Sequence, residues 1–505
     1  MPHTRRDFIR TSVNAGIAGA FALQGGTDAF ADAGKHSANG KGPSEATTAR
    51  RPNILLLFPD QWRFDWMSSN PDLPIRTPNL DRLARTGTRF TNVLVNSPLC
   101  APSRACLASG KEYGGTRVLS NQYDFPVNVK TFYSHLRDGG YHVLGCGKLD
   151  LAKAANWWGI DGKWRLPALG FSDGINNAGK IDQLIGYRLN NREPADPYLT
   201  YLNSRGLLQE HLGDIVKRMK GGYAATYPEP IPDEAYCDNW LGQKGLDLLD
   251  AAPKDKPWFL QVNWTGPHNP VDITARMDSS GVRGLNMPAP NGTNEYSPAI
   301  NQTIRQNYTA MCENIDRVIG LYLDKLASKG ELENTIVIFS SDHGEMLGDH
   351  GRWGKVVPYH PSASVPLIAS GPGVKQGTTS SALVSLIDLA ATFLDYAGVA
   401  RPDDMDSLSF RSVLEGNKKR HRDVLLSALG GWQMVVDDQY KVIRGFSPNK
   451  GRNSPDWTVH SKEVQGLPPL VFDMAHDPKE NRDLAAAMPQ GAKRLLDMLP
   501  TIGCA

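Results

Sequence analysis

The sequence predicts an α/β fold, a mixed sheet sandwiched by helices, followed by a smaller C-terminal α+β subdomain. Three observations carry this. Four short apolar runs each end at a charged or polar side chain, as buried strands of an α/β sheet do. Amphipathic stretches of helical period lie between them. After about residue 400 the pattern changes to closely spaced short strands, which sets the predicted boundary between domains 51–400 and 401–505.

The elements follow in chain order. Arg5 and Arg6 precede Phe8 and Ile9, then a mild apolar run from Val13 to Leu23 and the small residues Ala29, Ala31 and Ala33. That order predicts an export signal over 1–33. The paired arginines address it to the twin-arginine translocase of a bacterium, with a periplasmic or secreted destination. Residues 34–50, rich in Gly, Ser, Lys and Thr, predict a flexible leader. The first strand run, Asn53 to Phe58, delivers Asp60 and Gln61. Thr77 and Pro78 open a helix with Leu80, Leu83 and Ala84 on one face and Gly87 as its stop. The second run, Tyr141 to Cys146, delivers Lys148; the third, Trp258 to Trp264, delivers His268. Residues 154–240, with Trp157, Trp158 and Trp164, predict an insertion that shapes a pocket. Over 303–328 a stripe of Ile304, Tyr308, Met311, Ile315 and Tyr322 predicts a core helix. The fourth run, Thr335 to Ser340, delivers Asp342 and His343, and 386–397 predict another core helix. Strand candidates at Val424–Leu429, Trp432–Val436, Tyr440–Ile443 and Leu470–Phe472, with a helix near 490–499, complete the chain.

Composition narrows the function. An apolar share of 40% in 505 residues supports a substantial core and excludes a disordered chain. A net charge of +2 gives no footprint for nucleic acid. Six cysteines at this length are not a disulfide framework, and no apolar run is long enough for a transmembrane anchor.

Ligands of open α/β sheets bind beyond the carboxyl ends of the strands, so four such ends point to one site. Asp60, Asp342 and His343 are candidate ligands for a divalent ion, with the Gln61 amide oxygen beside them. Lys148 and Lys355 lie in glycine-rich segments that allow close approach to an oxyanion. His268, between two prolines, is an acid or anion ligand. Together they predict a site for a tetrahedral anion. Cys100 heads the run Cys-Ala-Pro-Ser-Arg104. Helix amides and Arg104 there favour a charged or reactive thiol; the alternative is a small buried cysteine beside a turn.

The longer string from Leu99 to Gly110 resembles the signature of the formylglycine-dependent sulfatases. Arg51 to Arg63, Gly147-Lys148, Gly266-Pro-His268, Ser341 to Lys355 and Leu470 to Asn481 are similar to further segments of that family. The resemblance implies the alkaline-phosphatase superfamily fold. It implies that Cys100 becomes formylglycine (3-oxoalanine) through a cytoplasmic formylglycine-generating enzyme. It also implies a divalent metal, Ca2+ with Mn2+ or Mg2+ as alternatives, held by Asp60, Gln61, residue 100, Asp342 and His343. The implied activity is that of a sulfuric ester hydrolase releasing sulfate from a sulfated small molecule or glycan, the tryptophan-rich insertion favouring a carbohydrate. One hydroxyl of the formylglycine hydrate attacks sulfur, and loss of the proton from the other expels sulfate. Arg104 holds the formylglycine, Lys148 the sulfate, and Lys355 and His268 serve the leaving oxygen. Three positions depart from the usual pattern. Gln61 replaces a second aspartate, His343 replaces an asparagine, and Asp150 replaces the histidine expected as base. The first two look like the phosphonate monoester hydrolase and choline-sulfatase-like branch, which makes phosphonate monoester or phosphodiester hydrolysis the alternative activity. Asp150 takes the base's role as a carboxylate, or another residue does.

Overall fold

The structure is a computed structural model that describes residues 51–448 and 466–499. The predicted signal and leader, 1–33 and 34–50, lie outside the described residues. The main sheet has eight strands: β1 Asn53–Leu57, β2 Gly87–Leu94, β3 His142–Gly147, β4 Asp173–Asn176, β5 Trp258–Asn263, β6 Thr335–Phe339, β7 Leu367–Ser370 and β8 Thr378–Ser385. Their order is β4-β3-β5-β1-β6-β7-β2-β8. β7 runs antiparallel to both neighbours, and the other pairings are parallel. The sheet is therefore mixed, as predicted.

Helices cover both faces: α1 Pro78–Arg85, α2 Cys100–Ser109, α3 Phe132–Asp138, α4 Lys180–Leu189, α5 Pro197–Ser204, α6 Leu208–Gly221, α7 Cys237–Ala251, α8 Ala275–Asp278, α9 Pro298–Ser328, α10 His360–Ala363, α11 Asp388–Tyr396 and α12 Arg411–Leu414. Strand alternation divides the core between the faces. Leu55, Leu57, Leu260 and Val337 pack with Leu80, Leu241, Ile315 and Tyr322 on one side. Ile54, Leu56, Phe259 and Ile336 pack with Ala105, Phe132 and Phe393 on the other. Because both faces are buried, the strands read as continuous apolar runs.

The C-terminal unit is an antiparallel sheet, β9 Leu425–Leu429, β10 Trp432–Val436, β11 Tyr440–Arg444 and β12 Leu470–Asp473, with α13 Gln490–Met498. One face packs on α13 through Val435, Val442, Val471 and Leu495. The other face, with Met434, Ile443 and Phe472, shares a core with Leu99, Cys106 and Tyr359. That shared core backs the start of α2. Buried Lys441 donates to Glu480 at 2.6 Å and to the Pro358 carbonyl at 3.1 Å, fastening the chain just beyond Lys355.

Three expectations change. Residues 154–240 are not simply an insertion: they supply edge strand β4 and most of α4 to α7. Thr77 makes no side-chain cap on α1. The carboxylate of Asp316 on α9 instead accepts the Asn79 and Leu80 amides at 3.1 and 2.8 Å, so the first-turn donors are met from another helix. Gly87 does not stop α1 by a left-handed turn; it begins β2. A Cβ there would lie 2.0 Å from the Ala369 carbonyl oxygen on β7, so glycine serves strand approach. Gly87→Ala is expected to destabilise the fold by about 1–3 kcal/mol through overpacking. A urea midpoint equal to that of the parent protein would contradict this.

Candidate active site

The site forms where β1, β3, β5 and β6 end. β1 and β6 are adjacent, so the turns after them bring Asp60 and Asp342 together. β3 and β5 pair beside them and contribute Lys148 and Asn263. Gly147 turns the chain at the end of β3 with φ +90°, and a Cβ would lie 1.9 Å from the Asn263 carbonyl oxygen. Glycine is required there for both reasons. Cys100 is the first residue of α2, whose opening turn carries Pro102.

Asp60, Cys100, Asp342 and His343 are all buried, and their ligating atoms lie within 4.8 Å of one another. Cys100 Sγ is 3.2 Å from His343 Nε2. His343 Nδ1 lies 3.1 Å from the Gly344 carbonyl oxygen. That acceptor keeps the proton on Nδ1 and presents Nε2 to the cluster. Two carboxylates, an imidazole nitrogen and a sulfur converging in this way fit a divalent cation.

Arg104 joins the parts. Its Nε donates to Asp342 Oδ2 at 2.9 Å, and Nη2 lies 3.3 Å from Asp60 Oδ2. Nη1 donates to the Lys148 carbonyl at 2.6 Å and to Asn263 Oδ1 at 2.8 Å. Lys148 donates to Asp60 and lies 3.1 Å from Asp150. Asp150 in turn meets Lys153 at 3.1 Å, and Lys153 reaches Asp182 on α4.

These charges set the titration behaviour. Burial alone raises an acid, yet Lys148 above all, with Arg104, holds Asp60 well below the usual carboxylate range. Burial likewise opposes ionisation of Asp150, but Lys148, Lys153 and Arg104 outweigh it and its pKa falls. Asp342 is raised, chiefly by burial. Cys100 is brought down to about 6: burial and Asp60 push it up, and Lys148, Lys355 and His343 prevail.

On the other side of the site Lys355 Nζ lies 2.6 Å from His268 Nε2 and also contacts Gln61 Oε1. His268 Nδ1 points at the Asn269 carbonyl oxygen. A carbonyl accepts only and an ammonium donates only. His268 is therefore neutral, with its proton on Nδ1, and burial together with Lys355 holds its pKa well below the ordinary value. The Gln61 amide group donates to Glu345, and its backbone N–H donates to Asp342 Oδ1 at 3.0 Å. Its side chain thus leans toward Lys355 and Glu345, one step from the carboxylate cluster.

The predicted residues Cys100, Arg104, Lys148, Asp150, His268, Lys355, Asp60, Gln61, Asp342 and His343 fall in this one neighbourhood. Asn263, Lys153 and Glu345 were missed. A polar residue closing the apolar run Trp258–Asn263 was the available sign of the first. Trp158 is fully buried, and the Arg165 guanidinium lies 4.3 Å over the Trp164 ring. Of the three tryptophans expected to shape a pocket, Trp158 is thus core, Trp164 is covered surface, and Trp157 is half-buried.

A family model described as Sulfatase matches residues 52–399. An arylsulfatase of Clostridium perfringens is 28% identical over 464 residues, covering 86% of this chain and 90% of its own. An N-acetylglucosamine-6-O-sulfatase of Bacteroides thetaiotaomicron is 28% identical over 412 residues, covering 74% and 73%. The crystal structure of the phosphonate monoester hydrolase of Agrobacterium radiobacter superposes with a TM-score of 0.71 at 23% identity, covering 88% of this chain and 95% of that one.

Replacing Arg104 by lysine puts one point charge where a planar fork meets four acceptors. Arg104→Lys is expected to lower kcat/KM by about 100-fold or more through misplacement of Asp60 and Asp342. Steady-state kinetics near the parent value would contradict the assignment.

Proposed function

This chain belongs to the sulfatase family and is a sulfuric ester hydrolase, and we propose that it acts through a formylglycine made from Cys100 beside a divalent cation, on a sulfated carbohydrate. The observation that carries the proposal is Cys100 Sγ in the same buried cluster as the Asp60, Asp342 and His343 ligand atoms. Asp60, Asp342, His343 and residue 100 would hold the cation, with Gln61 at its margin. Oxygen donors in the majority favour Ca2+, with Mg2+ as an alternative, and His343 also suits Mn2+.

A bound cation supplies Lewis-acid polarisation of the sulfuryl oxygens. Formylglycine hydrate at position 100 supplies one hydroxyl that takes the sulfuryl group and a second whose deprotonation expels sulfate. The chain's own residues do the rest. Arg104 keeps Asp60 and Asp342 apart and oriented. Lys148, an ammonium beside Asp60, binds a sulfuryl oxygen. Lys355 carries the proton for the leaving alcohol, because neutral His268 accepts from it and aims it. Asp150, ionised between Lys148 and Lys153, is a weak base, and its place is to hold Lys148.

The amino-terminal sequence supports conversion of Cys100 in the cytoplasm by a formylglycine-generating enzyme, then twin-arginine export to the periplasm or exterior. No described helix is long and apolar enough to cross a membrane. The carbohydrate reading is supported by similarity to the N-acetylglucosamine-6-O-sulfatase, whose sulfated sugar is the natural first probe. A second reading, phosphonate monoester hydrolysis, is favoured by Gln61 and His343 and by the fold likeness.

Two outcomes are expected. The active enzyme shows a peptide across position 100 about 18 Da lighter than the cysteine form, and Cys100→Ala lowers kcat by about 1,000-fold or more; an unmodified active enzyme by mass spectrometry would refute the chemistry. An aryl sulfate is turned over with higher kcat/KM than the matching aryl phosphonate monoester, and the reverse order would establish the second reading.

A further inference from the structure

An aromatic wall stands beside Lys355 that the chemistry above does not use. Tyr223, Tyr296 and Trp353 come from three separate segments and are each half-buried. Tyr223 and Trp353 lie with ring centroids 4.7 Å apart and planes tilted by 34°. Tyr296 meets Trp353 edge-on at 5.2 Å. The wall is wired to the site through one carboxylate. Glu345 Oε2 accepts from the Tyr223 hydroxyl at 2.8 Å and from the Gln61 amide group. Its Oε1 accepts the Leu347 and Gly354 backbone amides at 2.9 and 2.6 Å. Gln61 Oε1 accepts from Lys355, so Tyr223 is joined to the group that protonates the leaving oxygen through Glu345 and Gln61, three hydrogen bonds in series.

From this we infer that Tyr223 and Trp353 form the subsite for the ring of the leaving alcohol, a pyranose that lays its C–H face on the aromatic surface. The inference rests on the sulfated-carbohydrate reading and gives it a location. Position argues for the occupant: with the sulfuryl group placed at the Asp60–Asp342 cluster and the leaving oxygen at Lys355, the alcohol would extend toward Trp353, two residues before Lys355, and Tyr223 beside it. Chemistry decides its class. Half-buried aromatic faces suit an amphipathic ring with apolar faces, and Glu345, fully buried and committed to Tyr223, Gln61 and two backbone amides, holds the wall in place. Trp158 is core and Arg165 covers Trp164, so neither offers such a face.

The test separates ring binding from sulfate binding and from turnover. In a Cys100→Ala background, which has no heteroatom to convert to formylglycine, binding of N-acetylglucosamine 6-sulfate and of inorganic sulfate is measured by calorimetry on the full chain with Ca2+ present. Adding Trp353→Ala is expected to weaken the sugar sulfate about tenfold and inorganic sulfate less than twofold. Trp353→Phe, which keeps an aromatic face, is expected to stay within about threefold of the parent. Unchanged sugar-sulfate affinity, or equal weakening of both ligands, would overturn the inference. So would inorganic sulfate binding as tightly as the sugar sulfate in the parent. Tyr223→Leu provides the same comparison should the tryptophan variant not fold. The sulfate-versus-phosphonate preference of the active enzyme is read independently, so failure of the wall and failure of the sulfatase chemistry are distinct results.

Discussion

One guanidinium, that of Arg104, holds the reaction centre together. Parallel strands β1 and β6 are neighbours, and each ends at an aspartate facing the same buried space. Two carboxylates about 4 Å apart in a protein interior repel by several kcal/mol. Arg104 meets both and anchors its remaining N–H groups on the Lys148 carbonyl and Asn263. Its position on α2, one turn beyond Cys100, therefore couples the helix of Cys100 to four strand ends. Buried ion networks of this kind seldom add net stability. Their value here is positional: remove the guanidinium and Asp60 and Asp342 lose the one side chain that binds both, Asp60 keeping Lys148 and Asp342 keeping only backbone amides.

The same charges separate one cysteine from the rest. Cys100, Cys106, Cys146, Cys237 and Cys312 are all free and buried. Burial pushes Cys106 well up and Cys146 up to about 12. Cys100 is equally buried yet falls to about 6, because Lys148, Lys355 and His343 face it. A sequence reader sees six identical letters, and only the pentapeptide context marks the first. The structure gives the electrostatic reason, and the reason is long-range: Lys148, His343 and Lys355 lie far along the chain from Cys100.

What was legible in the sequence follows from burial. β1, β3, β5 and β6 lie centrally in the sheet with both faces covered, so they are apolar throughout and end at the site residues. β2 and β8 lie toward an edge: Thr91 is exposed in β2, and Thr379 and Ser381 are exposed in β8. Their mixed composition conceals them, and the four-residue β7 offers too few positions to show a period. Gly87 shows the hazard of reading glycine locally, because its partner is Ala369 on another strand. The site residues proposed from motifs lie in one neighbourhood, yet Asn263 and Glu345 escape notice inside segments that the sequence singles out. Asn263 accepts from Arg104, and Glu345 accepts from Gln61 and Tyr223, partners far along the chain that nothing nearby records. Lys153 pairs with Asp150 three residues away and with distant Asp182.

Position 150 shows how the neighbours, rather than the side chain, decide a role. A carboxylate can serve as a base where its pKa stands near the working pH. Asp150 stands the other way, because two ammonium groups and Arg104 stabilise its charge far more than burial penalises it. Protonating it would remove the carboxylate that Lys148 and Lys153 share, leaving Lys148 to Asp60 alone and Lys153 to Asp182 alone. The carboxylate thus ties the two lysines together and helps to fix the first against Asp60. A histidine at 150 would bring a base but no fixed negative charge, and that shared tie would be lost. The aspartate therefore stands as a rigid ionic mount of Lys148 where the resemblance leads one to expect a proton acceptor, and the formylglycine chemistry proposed above then needs its base elsewhere.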